Sequence, residues 1–292
     1  MSRSFLSPVP LFFVFLWSTG FIVAKFGLPY APPLTFLLLR CLGVLLVLAP
    51  AVLLLRAPWP RGKLGHIAVA GLLMQAGYLS GVWCAIKLGM PAGLSALIVG
   101  MQPILTALAA PLVGERVRPR QWLGLAFGLA GVALVVAAKV SLTGLRWEAI
   151  ALCVGALLSI TAGTLYQKRF CPQFDLRSGT LVQFAASFLL LLPFAWLLED
   201  MGSVQWTPQF LAALAWSVLA LSIGAIFLLF ALIRRANATQ VTSLLYLTPP
   251  TTALMAWALF GEALNWMGIC GMAFAVIGVI FVVKQPKMMP RQ

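Results

Sequence analysis

The chain is a succession of apolar runs, each close to the length needed to cross a bilayer, separated by short breaks of Lys, Arg, Pro and Gly. A helix needs about 20 mostly apolar residues to span the hydrocarbon core. Cutting at the breaks yields ten stretches, near 9–26, 33–55, 65–88, 92–113, 121–138, 149–168, 178–198, 210–233, 238–260 and 266–283. The predicted fold class is therefore an all-α integral membrane protein with ten transmembrane helices. Composition agrees, since 62% of residues are hydrophobic and 9% charged, where a soluble domain carries about 25% charged residues. The net charge of +14 comes from Lys and Arg standing singly or in twos and threes beside apolar runs. That pattern flanks membrane spans and does not form a phosphate-tracking face, so no nucleic-acid partner is expected. Cys41, Cys84, Cys153, Cys171 and Cys270 are scattered without paired spacing, which indicates neither a disulfide framework nor a metal site. The first run lacks a small-residue cleavage site and is not expected to be a removed signal peptide.

Cytoplasmic loops collect Lys and Arg. With the N-terminus inside, Arg3, Arg56, Arg61, Lys63, Arg116, Arg118, Arg120, Lys168, Arg169, Arg177, Arg234, Arg235, Lys284, Lys287 and Arg291 fall on the cytoplasmic side. Only Lys25, Lys87, Lys139 and Arg146 fall on the other. Both termini are expected in the cytoplasm. An offset of 147 residues aligns the halves without a gap from Ile86 to Val136. Pro103 then matches Pro250, Gly114-Glu115 matches Gly261-Glu262, and Gly131-Val132 matches Gly278-Val279. This predicts two five-helix repeats, 1–140 and 147–284, with 285–292 as a cytoplasmic tail. Five is odd, so the second repeat enters the membrane inverted, a recurring plan of secondary transporters.

Trp17-Ser18-Thr19-Gly20-Phe21, Pro33 with Arg40, and Pro103…Gly114-Glu115…Gln121-Trp122-Leu123-Gly124…Gly131-Val132 resemble the EamA-domain branch of the drug/metabolite transporter superfamily. So does the repeated Pro250…Gly261-Glu262…Gly278-Val279. The resemblance covers nearly the whole chain and implies a ten-helix exporter of small metabolites or toxic compounds in a bacterial inner membrane. Its general look is similar to the YddG-type amino-acid exporters.

Pro103 and the pair Pro249-Pro250 interrupt the fourth and ninth spans at matching places. Proline frees a carbonyl one turn earlier, tolerated in lipid only where neighbours or a cavity satisfy it. They are read as hinges beside a site. Ser95, Val99, Gln102 and Thr106 make one helical stripe, and Thr242, Tyr246 and Pro249 its counterpart, with Thr248 at the kink. The candidate cavity set is Trp17, Ser18, Gln75, Tyr78, Gln102, Thr161, Tyr246 and Thr248, with interhelical hydrogen bonding the competing role for the hydroxyl groups. Trp17, mid-span beside small polar groups, suits a planar or cationic solute. Arg40, the one intramembrane charge, is read first as structural, tying helix ends together. Glu115 and Glu262 are read as capping the next helix or pairing with a base.

The leading function is a secondary transporter moving small organic solutes, such as amino acids and aromatic or cationic metabolites, by alternating access. The alternatives are a non-transporting membrane subunit and an intramembrane enzyme. The enzyme would need Ser with a deep His or Lys, paired aspartates or H-E-x-x-H. The sequence contains a single His and keeps all six acids at loops or helix ends. No catalytic residues, metal or cofactor are therefore expected, and no nucleotide, because G-x-x-x-x-G-K-[ST] is absent. The expected partners are a small-molecule substrate and the lipid bilayer, and a monomer is compatible with this plan.

Overall fold

The computed structural model describes residues 8–90, 92–137, 146–260 and 266–283, where every regular element is helical. Glu262 and the 285–292 tail lie outside them. The helices are α1 (Pro8–Gly27), α2 (Pro33–Leu54), α3 (Leu64–Lys87), α4 (92–113), α5 (Pro119–Ala137), α6 (Trp147–Phe170), α7 (Leu176–Leu198), α8 (Pro208–Arg235), α9 (238–260) and α10 (Trp266–Val283). Among the described residues seven segments are long and apolar enough to cross a membrane: α2, α3, Leu94–Val113 of α4, α6, α7, α8 and α10. Pro8–Gly20 is a shorter apolar helix, α5 spans 19 residues, and α9 opens with the polar turn Ala238–Ser243.

The starts follow local chemistry. Proline stands in the first turn of α2 and α8, where its missing N–H costs nothing. Asp175 caps α7 by accepting from Arg177 N and Ser178 N, and Asn237 with Gln240 forms a capping box on α9. Gly114 ends α4 at φ +76°, a left-handed conformation that glycine adopts without strain. Two further starts are capped from afar. Glu199 Oε1 accepts from Leu34 N at 2.9 Å and its Oε2 from Thr35 N at 2.7 Å, while Glu115 Oε2 accepts from Ala238 N at 2.9 Å.

Packing follows the repeat. α3 lies on α6 as α8 lies on α1; α1 lies on α9 as α6 lies on α4; α2 pairs with α7 and α5 with α10. The α5–α10 seam is the closest. A Cβ on Gly131 would stand 2.6 Å from Gly271 O and one on Gly124 2.6 Å from Gly278 O, with the reverse approaches the same. Rising numbers on α5 meet falling numbers on α10, so these repeat mates run antiparallel. Small residues let the backbones meet, and close van der Waals packing is what holds helices together where lipid is as apolar as the side chains.

Candidate functional site

Both α3 and α8 carry a π-helical stretch, Leu72–Gly77 and Ser217–Ala225, overlapping at the 147-residue offset. A π turn inserts a residue and re-aims its neighbours, and such turns are frequent at functional sites. Gln75 and Ser222 occupy the same place in the two stretches. Between α1, α2, α3 and α8 lies a cavity of about 60 Å³, bordered by Trp17, Arg40, Gln75, Tyr78, Trp83 and Leu221 among others. Small-molecule pockets run to about 300–1,000 Å³, so this space is small for a solute of ordinary size. Trp83 stacks on Phe36 at 4.7 Å and Trp17 leans on Phe13 at 5.4 Å, which fixes both walls from behind.

Arg40 is 6% exposed, and its Nε donates to Ser222 Oγ at 2.6 Å. The side chain so links α2 to the π stretch of α8 while also bordering the cavity. Among the described residues no Asp or Glu lines that cavity. Gln75 is buried, and among the described residues its Nε2 has no partner.

The structure thus brings Trp17, Gln75 and Tyr78 together but leaves the other candidates off this wall. Ser18 donates to Val14 O at 2.7 Å. Thr161 donates to Leu157 O at 2.7 Å and lies beside a groove on the flank of the bundle with Tyr166 and Arg169. In both, the hydroxyl turns back on its own helix, the bond available to Ser and Thr mid-helix. Gln102 Nε2 donates to Thr164 Oγ1 at 3.2 Å, joining α4 to α6. Tyr246 is fully buried, its ring against Gly128, and Thr248 is buried at the contact with α1. Among the described residues five polar atoms on α4 and α9 are buried without a partner: Gln102 Oε1, Thr106 Oγ1, Thr239 Oγ1, Tyr246 Oη and Thr248 Oγ1. Pro103 follows a break in α4 at residues 100–101, and Pro249-Pro250 follow the 3₁₀ turn Leu244–Leu247 in α9. The two interruptions meet at the repeat offset.

Glu115 accepts from the first turn of α9 and lies 3.6 Å from Lys168 Nζ, which donates in turn to Ile233 O at 2.7 Å and to Ala236 O at the end of α8. One junction therefore ties the α4–α5 loop, α6, the end of α8 and the start of α9. Burial holds the Glu115 carboxyl above the usual carboxylate range, opposed by Lys168 and the backbone bonds. The Arg177 hydrogen bond holds Asp175 below it.

Sequence reasoning missed Ser222 and Trp83. Ser222 was within reach, being Gln75 moved by 147 residues. Trp83 shares a helical face with Leu79, Val82 and Ile86, a stripe too uniformly apolar to stand out.

The EamA-like transporter family model matches this chain twice, over residues 9–137 and 147–284. The uncharacterized inner membrane transporter YedA of Escherichia coli strain K12 is 30% identical over 269 residues, covering 90% of this chain and 86% of that protein. A probable amino-acid metabolite efflux pump of Salmonella typhimurium is 30% identical over 92% of this chain and 91% of its own length. The aromatic amino acid exporter YddG of Ancylobacter novellus is 34% identical over 48% of each chain. A crystal structure superposes with a TM-score of 0.76 over 96% of this chain and 98% of its own at 21% identity, a likeness of fold. With two matches that together span most of its length, this multi-pass membrane protein belongs to the EamA-like transporter family.

Proposed function

We propose that the protein exports small organic solutes across a bacterial inner membrane by alternating access between two inverted five-helix halves, 1–140 and 147–284, with ten crossings and cytoplasmic termini. The observation that carries this is the row of partnerless buried polar atoms on α4 and α9. Each such atom costs roughly 1–3 kcal/mol while unpaired. Water satisfies them if the α4–α9 contact opens in a second conformation, which makes Gln102, Tyr246 and Thr248 cavity residues of that state, and Pro103 and Pro249-Pro250 its hinges. Trp17, Gln75 and Tyr78 serve the state described above. In this reading the Glu115–Lys168 junction, at the end rich in basic loops, closes the cytoplasmic side. The antiparallel packing of the repeat mates α5 and α10 supports the inverted arrangement, as does the symmetry of the other contacts.

The relatives' names, an amino-acid metabolite efflux pump and an aromatic amino acid exporter, favour amino acids and similar solutes. The test is flux from liposomes containing only this protein, loaded with a panel of amino acids and organic cations. Solute-selective flux is expected; liposomes with and without protein releasing every solute at the same rate would defeat the proposal.

A further inference from the structure

Arg40 presents a chemical imbalance. Its guanidinium has five N–H donors, and among the described residues one is used, on Ser222 Oγ. A charge at membrane depth is expensive unless paired, yet among the described residues the cavity beside it has no acidic wall. The described carboxylates are engaged elsewhere: Glu115 with Lys168, Glu148 with Arg146, Asp175 with Arg177, Glu199 with the start of α2, and Asp200 with Gly202 N. A second, independent feature borders the same cavity. Gln75 is 2% exposed, and among the described residues its amide nitrogen has no acceptor. Two donors, one of them cationic, thus border a small space whose other described walls are apolar, with Trp17, Tyr78 and Trp83 among aliphatic side chains. What they lack is an acceptor with negative charge and more than one lone pair.

We propose that Arg40 and Gln75 bind the carboxylate of an organic acid whose flat apolar body lies among Trp17, Tyr78 and Trp83. This rests on the transporter reading and names the solute class of the same cavity. A carboxylate accepts two parallel bonds from a guanidinium, and Ser222 acts as a positioning residue by holding Nε so that the remaining fork faces inward. A cavity of about 60 Å³ has the volume of about two waters of bulk liquid, so it admits the acid group first and the body as α1 and α8 separate. An organic cation meets like charge and, among the described residues, no acid. The cationic metabolites compatible with the sequence are thereby excluded, and zwitterions enter by their carboxylate.

The test is calorimetric titration of the full-length purified protein with 3-phenylpropionate, L-phenylalanine and phenethylamine, which share a ring and differ in charge. Both acids should bind and the amine should not. Arg40→Gln should weaken the acids by roughly ten- to a hundredfold, the range carried by a hydrogen bond to a charged group. Arg40→Lys should keep the preference for acids over the amine at reduced strength. Ser222→Ala should weaken the acids a few-fold and leave the amine as it was, an asymmetry that a purely structural Arg40 would not produce. Should Arg40→Gln not elute as a folded species, Arg40→Lys and Ser222→Ala decide the matter. The proposal is overturned if the amine binds as tightly as 3-phenylpropionate, if neither acid binds, or if Ser222→Ala or a folded Arg40→Gln leaves the acids unaffected. Liposomes that release other solutes selectively while neither acid binds would leave the transporter reading standing without this one.

Discussion

Substituting Gly131 by Ala places a methyl group where α5 and α10 touch backbone to backbone. The added carbon would stand 2.6 Å from Gly271 O, against about 3.5 Å for an ordinary contact, so the helices must part by about 1 Å. Neither side can yield by a rotamer change, because the obstacle is main chain. A gap of that size forfeits roughly a quarter to a half of the dispersion energy of each lining contact, and overpacking of this kind costs about 1–3 kcal/mol. The better helix propensity of Ala returns somewhat under 1 kcal/mol, leaving a net loss of about 1–2 kcal/mol. Gly155→Ala is the matched control: it lies inside α6 with nothing within 4 Å of the added carbon, so it should be neutral or slightly stabilising. Gly278→Ala, the repeat equivalent, should cost about as much as Gly131→Ala. The double variant should cost less than the two together, because one separation of the seam accommodates both methyl groups. Thermal unfolding of detergent-purified protein, followed by tryptophan fluorescence, reads all four. Equal midpoints for Gly131→Ala and Gly155→Ala would refute the close approach of α5 and α10.

Glu115→Ala should lower stability by roughly 1.5–3 kcal/mol, because Ala238 N and Lys168 lose a charged acceptor, while Glu115→Gln keeps the backbone bond and loses less; thermal unfolding ranks the two. The raised Glu115 carboxyl means the folded state binds this proton more readily than the unfolded one, so its contribution to stability grows as pH falls through the raised value and fades as pH rises. Wild type should accordingly gain on Glu115→Gln toward acid pH in the same unfolding assay, and a constant difference would contradict this. Reporter fusions after Gln292 and within 261–265 should report opposite sides of the membrane; the same side for both would remove the inverted ten-crossing arrangement. Trp17→Ala and Tyr78→Ala should cut liposome flux of a transported acid by roughly tenfold, about the worth of one aromatic contact, while Thr161→Ala, whose hydroxyl serves its own helix, should not. No Asp, Glu or His lies deep in a predicted span, so an imposed pH gradient at zero membrane potential should not drive uphill solute movement, and accumulation under those conditions would contradict the reading.

Much of the architecture was legible in one dimension because lipid admits few solutions. Runs of about 20 apolar residues without charge become helices, since only a helix satisfies its own backbone within the run. Rare residues such as Pro103 and Pro250, or Gly114-Glu115 and its repeat, mark equivalent points of two halves. The offset of 147 also carried the antiparallel seam in latent form, in Gly124 with Gly271 and Gly131 with Gly278. Of the candidate set, the residues that border one cavity, Trp17, Gln75 and Tyr78, are those conspicuous against their own spans. Tertiary structure decided the rest. Whether Gln102 and Tyr246 line a space or pack against a neighbouring helix depends on helix contacts, and in the structure both are buried where α4 meets α9 and its neighbours. Periodicity assumes an unbroken helix, so it does not reveal that α3 and α8 each carry a π-helical stretch, with Gln75 in one and Ser222 in the other. The role of Arg40 is of the same kind: a guanidinium in an apolar run is visible at once, but whether it is neutralised depends on which carboxylates come within reach, and that is settled by the packing of helices far apart in the chain.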